Sequence, residues 1–263
     1  MNIAGLKRYM PLLKELIRRD VKIKYRRSFL GFLWSVLNPL GTMVILTIVF
    51  STVFRQSIEN FSVYLMCGQL IFNFFNEATS MSMSSIVGNA GLITKVYVPK
   101  YFFPISRVCS SFVNLLTSFV ALVIVIVVTR TPVSWTVIFA IFPVLYVLLF
   151  SIGIGMVLSA VTVSFRDMMH LYGVVVTALM YLTPIFYPMD MLKNADVSYA
   201  RYAYAIVSAN PITKYVQMLR CTVLDQQIPS IQDHLDCLLP CVIALVLGAV
   251  VFKKLQDKFI LRL

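Results

Sequence analysis

Charge is scarce in this 263-residue chain: Asp, Glu, Lys and Arg together make up 13% of it, against roughly 25% in an average soluble domain. Acids are scarcer still, 11 against 23 Lys and Arg, and no cluster of paired acids falls inside the apolar runs. The two histidines, His170 and His234, stand alone, and each reads as structural. No G-x-x-x-x-G-K-[ST] loop is present, so the chain has no phosphate cradle of its own. H-E-x-x-H and G-x-S-x-G are missing too, which leaves an enzyme reading with little support. Five cysteines are scattered at 67, 109, 221, 237 and 241. Cys237 and Cys241 lack the paired partners of a zinc site, and no disulfide framework is implied. The basic region before the first apolar run is long and no small-residue cleavage site follows, so the first span is expected to stay in the mature protein.

Apolar residues are what the chain has in abundance. They make up 59% of it, and the mean hydropathy is +0.85, a composition that implies a polytopic membrane protein. A net charge of +12 can signal nucleic acid, but that requires basic residues spread over a folded face. Here they cluster beside hydrophobic runs, and the charge belongs to membrane topology.

The stretch RRDVKIKYRRSFLGFLWSVLNP, from Arg18 to Pro39, turns from a basic run to an apolar one within a few residues. Its first half, with Arg19, Lys24, Arg26 and Arg27, is of the kind attracted to anionic headgroups. Its second half enters the bilayer, with Trp34 placed for the interface and Pro39 for a kink. It reads either as a plain positive-inside anchor or as something more specific. Upstream, Leu6, Met10, Leu13, Ile17 and Val21 share one helical face and Lys7, Lys14, Arg18 and Lys22 another, the pattern of an interfacial amphipathic helix with Pro11 at its start or at a kink. Asp20 falls near the apolar face, and a surface pair with Lys24 one turn on is its expected state.

Spans are expected near 30–54, 62–84, 105–129, 135–163, 169–187 and 235–252, since a bilayer core needs about 20 apolar residues. With both termini on one side, 17 Lys and Arg and four acids fall on that side, against six and six on the other, with Glu77 left in the membrane. The bias places the termini in the cytoplasm. In the second span Gln69, Asn73, Asn76, Glu77, Ser80 and Ser84 fall within about 100° of one face. Such a stripe is either interhelical glue or the polar wall of a conduit, and Glu77 favours the conduit. Leu92, Lys95, Val96, Tyr97 and Lys100 suggest a short cytoplasmic amphipathic helix stopped by Pro99, a connector or a docking helix. Ser151, Gly155 and Ser159 form a small-residue packing face. The span it belongs to ends in a tight cytoplasmic turn whose Arg166 and Asp167 either order one another or meet a partner. Two prolines, Pro184 and Pro188, break the end of the fifth span, where Tyr181, Phe186 and Tyr187 make an aromatic belt or offer flat faces to a sugar. From 189 to 234 the chain is too apolar for a loop. Asn210-Pro211 is a helix start, and the stripe Ile212, Tyr215, Val216, Leu219 and Val223 implies helices at the outer leaflet, a lid or a gate.

In order and spacing, RDVKIKYRRSFLGFLWSVLNP from Arg19, LITKVYVPKYFFP from Leu92, FRD from Phe165, TPIFYP from Thr183 and NP at Asn210 resemble the membrane subunit of polysaccharide-exporting ABC-2 transporters, the permeases for O-antigen, capsule and teichoic acid. The resemblance covers nearly the whole chain. It implies one all-α transmembrane domain: a cytoplasmic interface helix in 1–29, five spans in 30–187, outer re-entrant gate helices in 188–234, and a sixth span with a cytoplasmic tail in 235–263. It further implies a homodimer in the bacterial cell membrane with two separate ATPase subunits that bind ATP and Mg, no cofactor in this chain, and a glycan on a polyprenyl diphosphate as substrate. By the same resemblance Leu92 to Lys100 is the coupling helix seated on the ATPase, and the partner of Arg166 and Asp167 is the ATPase as well. Two other readings remain open at this point, an ABC-2 permease for small hydrophobic compounds and a membrane-embedded transferase of prenyl-linked sugars.

Overall fold

The computed structural model describes residues 3–26, 30–54, 58, 60–95, 98–193 and 198–259. Among them the regular structure is helical, with no strand. In chain order the helices are α1 Ile3–Tyr25, α2 Trp34–Phe54, α3 Phe61–Met83, α4 Ala90–Ile93, α5 Phe102–Thr129, α6 Ile141–Ser164, α7 Met168–Tyr181, α8 Met189–Lys193, α9 Ser198–Ala209, α10 Pro211–Val223 and α11 Ile231–Leu255. A 3₁₀ segment, Trp135–Ala140, leads into α6.

Among the described residues, four stretches are long and apolar enough to cross a membrane: Gly31–Phe50, Phe102–Thr129, Trp135–Ser164 and Ile231–Lys258. The other two expected spans differ for separate physical reasons. α7 has 14 residues and rises about 21 Å, less than the ~30 Å hydrocarbon core. α3 is long enough but carries the polar stripe, and its place in the bundle explains why it tolerates one. It packs on α2, α5, α6, α7 and α10, and most of its residues are buried. A helix wrapped by others need not be apolar toward lipid.

The surfaces of α2, α5 and α11 are the reverse of a soluble protein's. Ile48, Val128 and Leu239 are 69%, 76% and 64% exposed, a contiguous apolar exterior that belongs in hydrocarbon rather than water. Inside, α11 packs most extensively on α6. A Cβ on Gly153 would lie 2.3 Å from the backbone carbon of Ala244, and one on Gly248 would lie 2.5 Å from the Gly153 carbonyl oxygen. The two backbones touch there, as small residues permit in membranes. Of the small-residue face expected on α6, Ser151, Gly155 and Ser159 are all buried, and Gly155 meets Ser82 of α3. The tighter α6–α11 crossing lies on a different face.

Two apolar clusters result. The larger fills the space among α3, α5, α6 and α10. The smaller lies at the α1 end of the bundle and gathers Leu16 of α1, Ile93 of α4, Phe103 of α5, Val163 of α6 and Phe252 and Phe259 near the C-terminus. α1, α4 and the far end of α11 thus share one core. α1 begins at Ile3 and runs through Pro11, so that proline sits inside the helix and does not mark its start.

Candidate functional site

The polar stripe of α3 opens into a cavity of about 160 Å³ between α1, α2, α3 and α5. Glu77 is its hub. One carboxylate oxygen, Oε1, accepts from Lys24 Nζ at 2.8 Å, Asn114 Nδ2 at 2.7 Å and Ser111 Oγ at 3.3 Å. Asn114 in turn accepts from the Tyr25 hydroxyl at 2.9 Å, and Ser118 Oγ reaches the Ser35 carbonyl at 2.9 Å, tying α5 to α2. Trp34, Asn38 and Asn73 complete the polar and aromatic wall. The Lys24 and Glu77 side chains keep 40% and 31% of their exposure. Water therefore screens the pair, and its contribution is at most about 1 kcal/mol. The contact orients side chains without locking them.

The rest of the stripe does not reach this cavity. Gln69 is buried, with its Oε1 unpartnered. Asn76 accepts from Ser80 on its own helix, and Ser84 is exposed and bonds back to the Met81 carbonyl. Of the expected path residues, Asn73 and Glu77 line the cavity, and α1, α2 and α5 supply partners that the sequence pattern had not identified.

The aromatic residues of the broken segment lie at the opposite end of the bundle. Phe186 stacks on Phe50 with centroids 5.6 Å apart, and Tyr187 donates its hydroxyl to the Tyr181 carbonyl at 2.9 Å. Tyr181 is exposed. The carbonyls freed by the break are recovered by α10. Asn210 caps α10 by accepting from the Ile212 amide, and its Nδ2 donates to the Leu182 carbonyl and Thr183 Oγ1. Arg220 is 6% exposed. Its Nη1 donates to the Pro184 carbonyl at 2.8 Å, its Nη2 to the Ile185 carbonyl at 3.2 Å, and its Nη2 and Nε to the Tyr64 carbonyl at 3.1 and 3.2 Å. The guanidinium also lies 3.4 Å from the Tyr64 ring centroid. Planarity and five donors let one arginine clamp three carbonyls and stack at once. The sequence expectations do not include Arg220, although a cation one turn after Val216, at the edge of the apolar stripe of α10, is a readable signal.

A sequence profile of the ABC-2 type transporter family matches residues 11–224. The chain belongs to the ABC-2 type transporter family. It is similar to the O-antigen export system permease protein RfbA of Myxococcus xanthus, 26% identical over 257 residues that cover 98% of this chain and 97% of the relative. A protein of the same name from Klebsiella pneumoniae is 26% identical over 251 residues, 94% and 93% of the two chains. The polysialic acid transport protein KpsM of Escherichia coli is 20% identical over 236 residues, 85% of each.

In this ABC-2 chain the basic helix is attached more firmly than an interfacial anchor. Asp20 is 3% exposed and does not form the expected surface pair with Lys24. Its Oδ1 accepts from Arg19 Nε and Nη2 at 3.1 and 3.0 Å, and its Oδ2 lies 3.4 Å from Arg107 Nε of α5, close enough for charge attraction but outside hydrogen-bond geometry. Arg19 Nη2 also donates to Asn89 Oδ1, just before α4, at 3.1 Å. Lys24 turns to Glu77 instead, because a carboxylate on a neighbouring helix is available to it. Arg26 is exposed, and Arg27 lies outside the described residues.

The helix expected over Leu92 to Lys100 is shorter and earlier. α4 ends at Ile93, and Thr94 bonds its side chain back to the Ala90 carbonyl, a competition with helix backbone typical of threonine. Val98 and Pro99 are not helical. Leu92 packs toward the smaller core and Lys95 is exposed, whereas Lys100 is spent within the chain, donating to the Gln256 carbonyl at 2.7 Å. Val96 and Tyr97 lie outside the described residues. Arg166 and Asp167 are exposed on the α6–α7 turn and form no ion pair with one another, and Phe165 beside them is 67% exposed.

Proposed function

We propose that this chain is the membrane permease of an ATP-driven exporter that moves a lipid-linked polysaccharide, carried on a polyprenyl diphosphate, out across the bacterial cell membrane. The observation that carries this is its sequence similarity along most of its length to O-antigen and polysialic acid export proteins, two different glycan systems. In this reading the chain works as a homodimer with two separate ATPase subunits, which bind ATP and Mg; the permease itself carries no cofactor. Six segments span: α2, α3, α5, residues 135–164, α7 with the broken segment after it, and α11. The basic end, with both termini, faces the cytoplasm, as the Lys and Arg bias favours. Residues 188–234 form the outer gate.

The structure supports a route for the drive. The ATPase docks at α4, Lys95 and the exposed Phe165–Arg166–Asp167 turn. Movement of α4 passes through the small core it shares with α1, and α1 carries Lys24 away from Glu77. A pair held by about 1 kcal/mol or less separates at small cost and leaves Asn73, Glu77 and Asn114 to meet the hydroxyls of a sugar. Tyr181 offers an exposed ring face at the exit, with Tyr187 beside it and Phe186 backed by Phe50. Deleting the gene from its host tests the reading. Lipid-linked glycan should accumulate on the cytoplasmic face while surface glycan disappears, and unchanged surface glycan, or loss of resistance to a small hydrophobic compound in its place, would overturn it.

A further inference from the structure

α1 and α5 enclose an open groove of about 560 Å³ that the transport route leaves unused. One wall is Lys14, Arg18 and Lys22, and the floor is Ile17, Val21 and Val113. Residues four apart stand on successive turns of one helix face, so the three cations form a row. α1 divides its charges. Arg19 and Lys24, which face the protein, are engaged by Asp20 and Glu77. The row along the groove is almost uncompensated: Arg18 has Glu15 at 3.9 Å, both largely exposed, and Lys14 and Lys22 belong to no ion pair among the described residues.

Beyond Val113 the groove continues as an apolar track on α5, where Leu116, Val120, Ile124 and Val127 are 49%, 52%, 40% and 68% exposed. Their spacing of three and four keeps them on one face, and Val113 to Val127 rises about 21 Å. Depth agrees with this arrangement. The 28 residues of α5 rise about 42 Å against a hydrocarbon core of ~30 Å. With Arg130 at the far boundary, the excess of about eight residues falls at the α1 end, so the hydrocarbon starts near Ser110, about one turn before Val113, and the cations beside it stand near headgroup level.

We propose that this groove is a binding site for an anionic phospholipid of the surrounding leaflet, with the phosphate held by Lys14, Arg18 and Lys22 and one acyl chain laid over Ile17, Val21, Val113 and the α5 track. The occupied site pins α1 against α5 and so favours the position in which Lys24 meets Glu77. The proposal stands whatever the exported substrate is.

Phosphatidylglycerol and phosphatidylcholine binding to the purified full chain, counted by native mass spectrometry, tests it. Lys14→Gln/Arg18→Gln/Lys22→Gln is expected to weaken phosphatidylglycerol binding at least about tenfold. The control Lys253→Gln/Lys254→Gln/Lys258→Gln, which removes three exposed cations at the end of α11 and in the turn after it, should stay within twofold of the parent. Val113→Trp, which fills the floor without touching charge, should also weaken binding, and its thermal melt shows whether the fold survives. Equal losses in the two triple variants would reduce the effect to net charge and overturn the site. Equal binding of phosphatidylcholine, displacement by inorganic phosphate alone, or tighter binding of a polyprenyl phosphate than of phosphatidylglycerol would each overturn the assignment.

Discussion

Replacing Arg220 by methionine removes the clamp on the broken segment while keeping a long apolar stem. The Pro184 and Ile185 carbonyls lose the Arg220 donors they bond in the intact chain. The Tyr64 carbonyl loses two more, but it belongs to α3 and is less exposed to loss. A buried acceptor left without a partner costs about 1–3 kcal/mol, so two cost about 2–6 kcal/mol. Against this, the variant no longer buries a guanidinium that has no carboxylate in ion-pair contact, which returns part of the loss. The balance is a destabilisation of about 2–4 kcal/mol. At about 2–4 °C per kcal/mol for a chain of this size, the melting temperature of the purified protein should fall by about 5–15 °C. Amide exchange at the non-proline residues of 182–188 should rise before global unfolding. Arg220→Lys should fall between, since an ammonium keeps the charge but cannot span three carbonyls in one plane. A methionine variant that melts within a degree of the parent, with unchanged exchange at 182–188, would refute the reasoning.

Asp20→Asn leaves Arg107 beside a neutral group and should cost about 3 kcal/mol. α1 should loosen first, seen as faster tryptic cleavage at Arg18 and Arg19. Gly153→Ala must push α6 and α11 apart, because its Cβ meets backbone rather than a side-chain tip; a loss of about 3 kcal/mol, read as a lower melt, is expected. Lys95→Glu should weaken co-purification of the ATPase without moving the melt. Lys100→Glu should lower the melt by unfastening the Gln256 carbonyl.

What could be read from the sequence follows from which forces act locally. The spans expected near 30–54, 105–129 and 135–163 overlap α2, α5 and residues 135–164 because a bilayer demands continuous apolar length, which is written along the chain. The α3 stripe was legible as a face but not as a site. Periodicity tells which residues share a side, not which helix lies opposite, so Asn73 and Glu77 were grouped with Gln69 and Ser84, which point elsewhere. Asp20 illustrates the same limit. Its position on the buried face was visible on the helical wheel, but the i, i+4 rule paired it with Lys24, and charges on α5 and α3 that are remote in sequence reassigned both partners. Arg220 was visible as a cation beside the α10 stripe but its role was not, because the Pro184 and Ile185 carbonyls are freed only where the chain breaks after α7, and the Tyr64 carbonyl lies on α3, remote in sequence.

The central claim is tested most directly by reconstituting the permease with the ATPase subunit proposed to drive it, in vesicles that carry a polyprenyl-diphosphate-linked glycan in one leaflet. The measurement is ATP-dependent appearance of that glycan at the opposite face. Translocation that requires both proteins, and that is reduced by Glu77→Ala together with Asn114→Ala while the complex still assembles, is the expected result. Glycan that stays in its leaflet while the assembled complex hydrolyses ATP would contradict it.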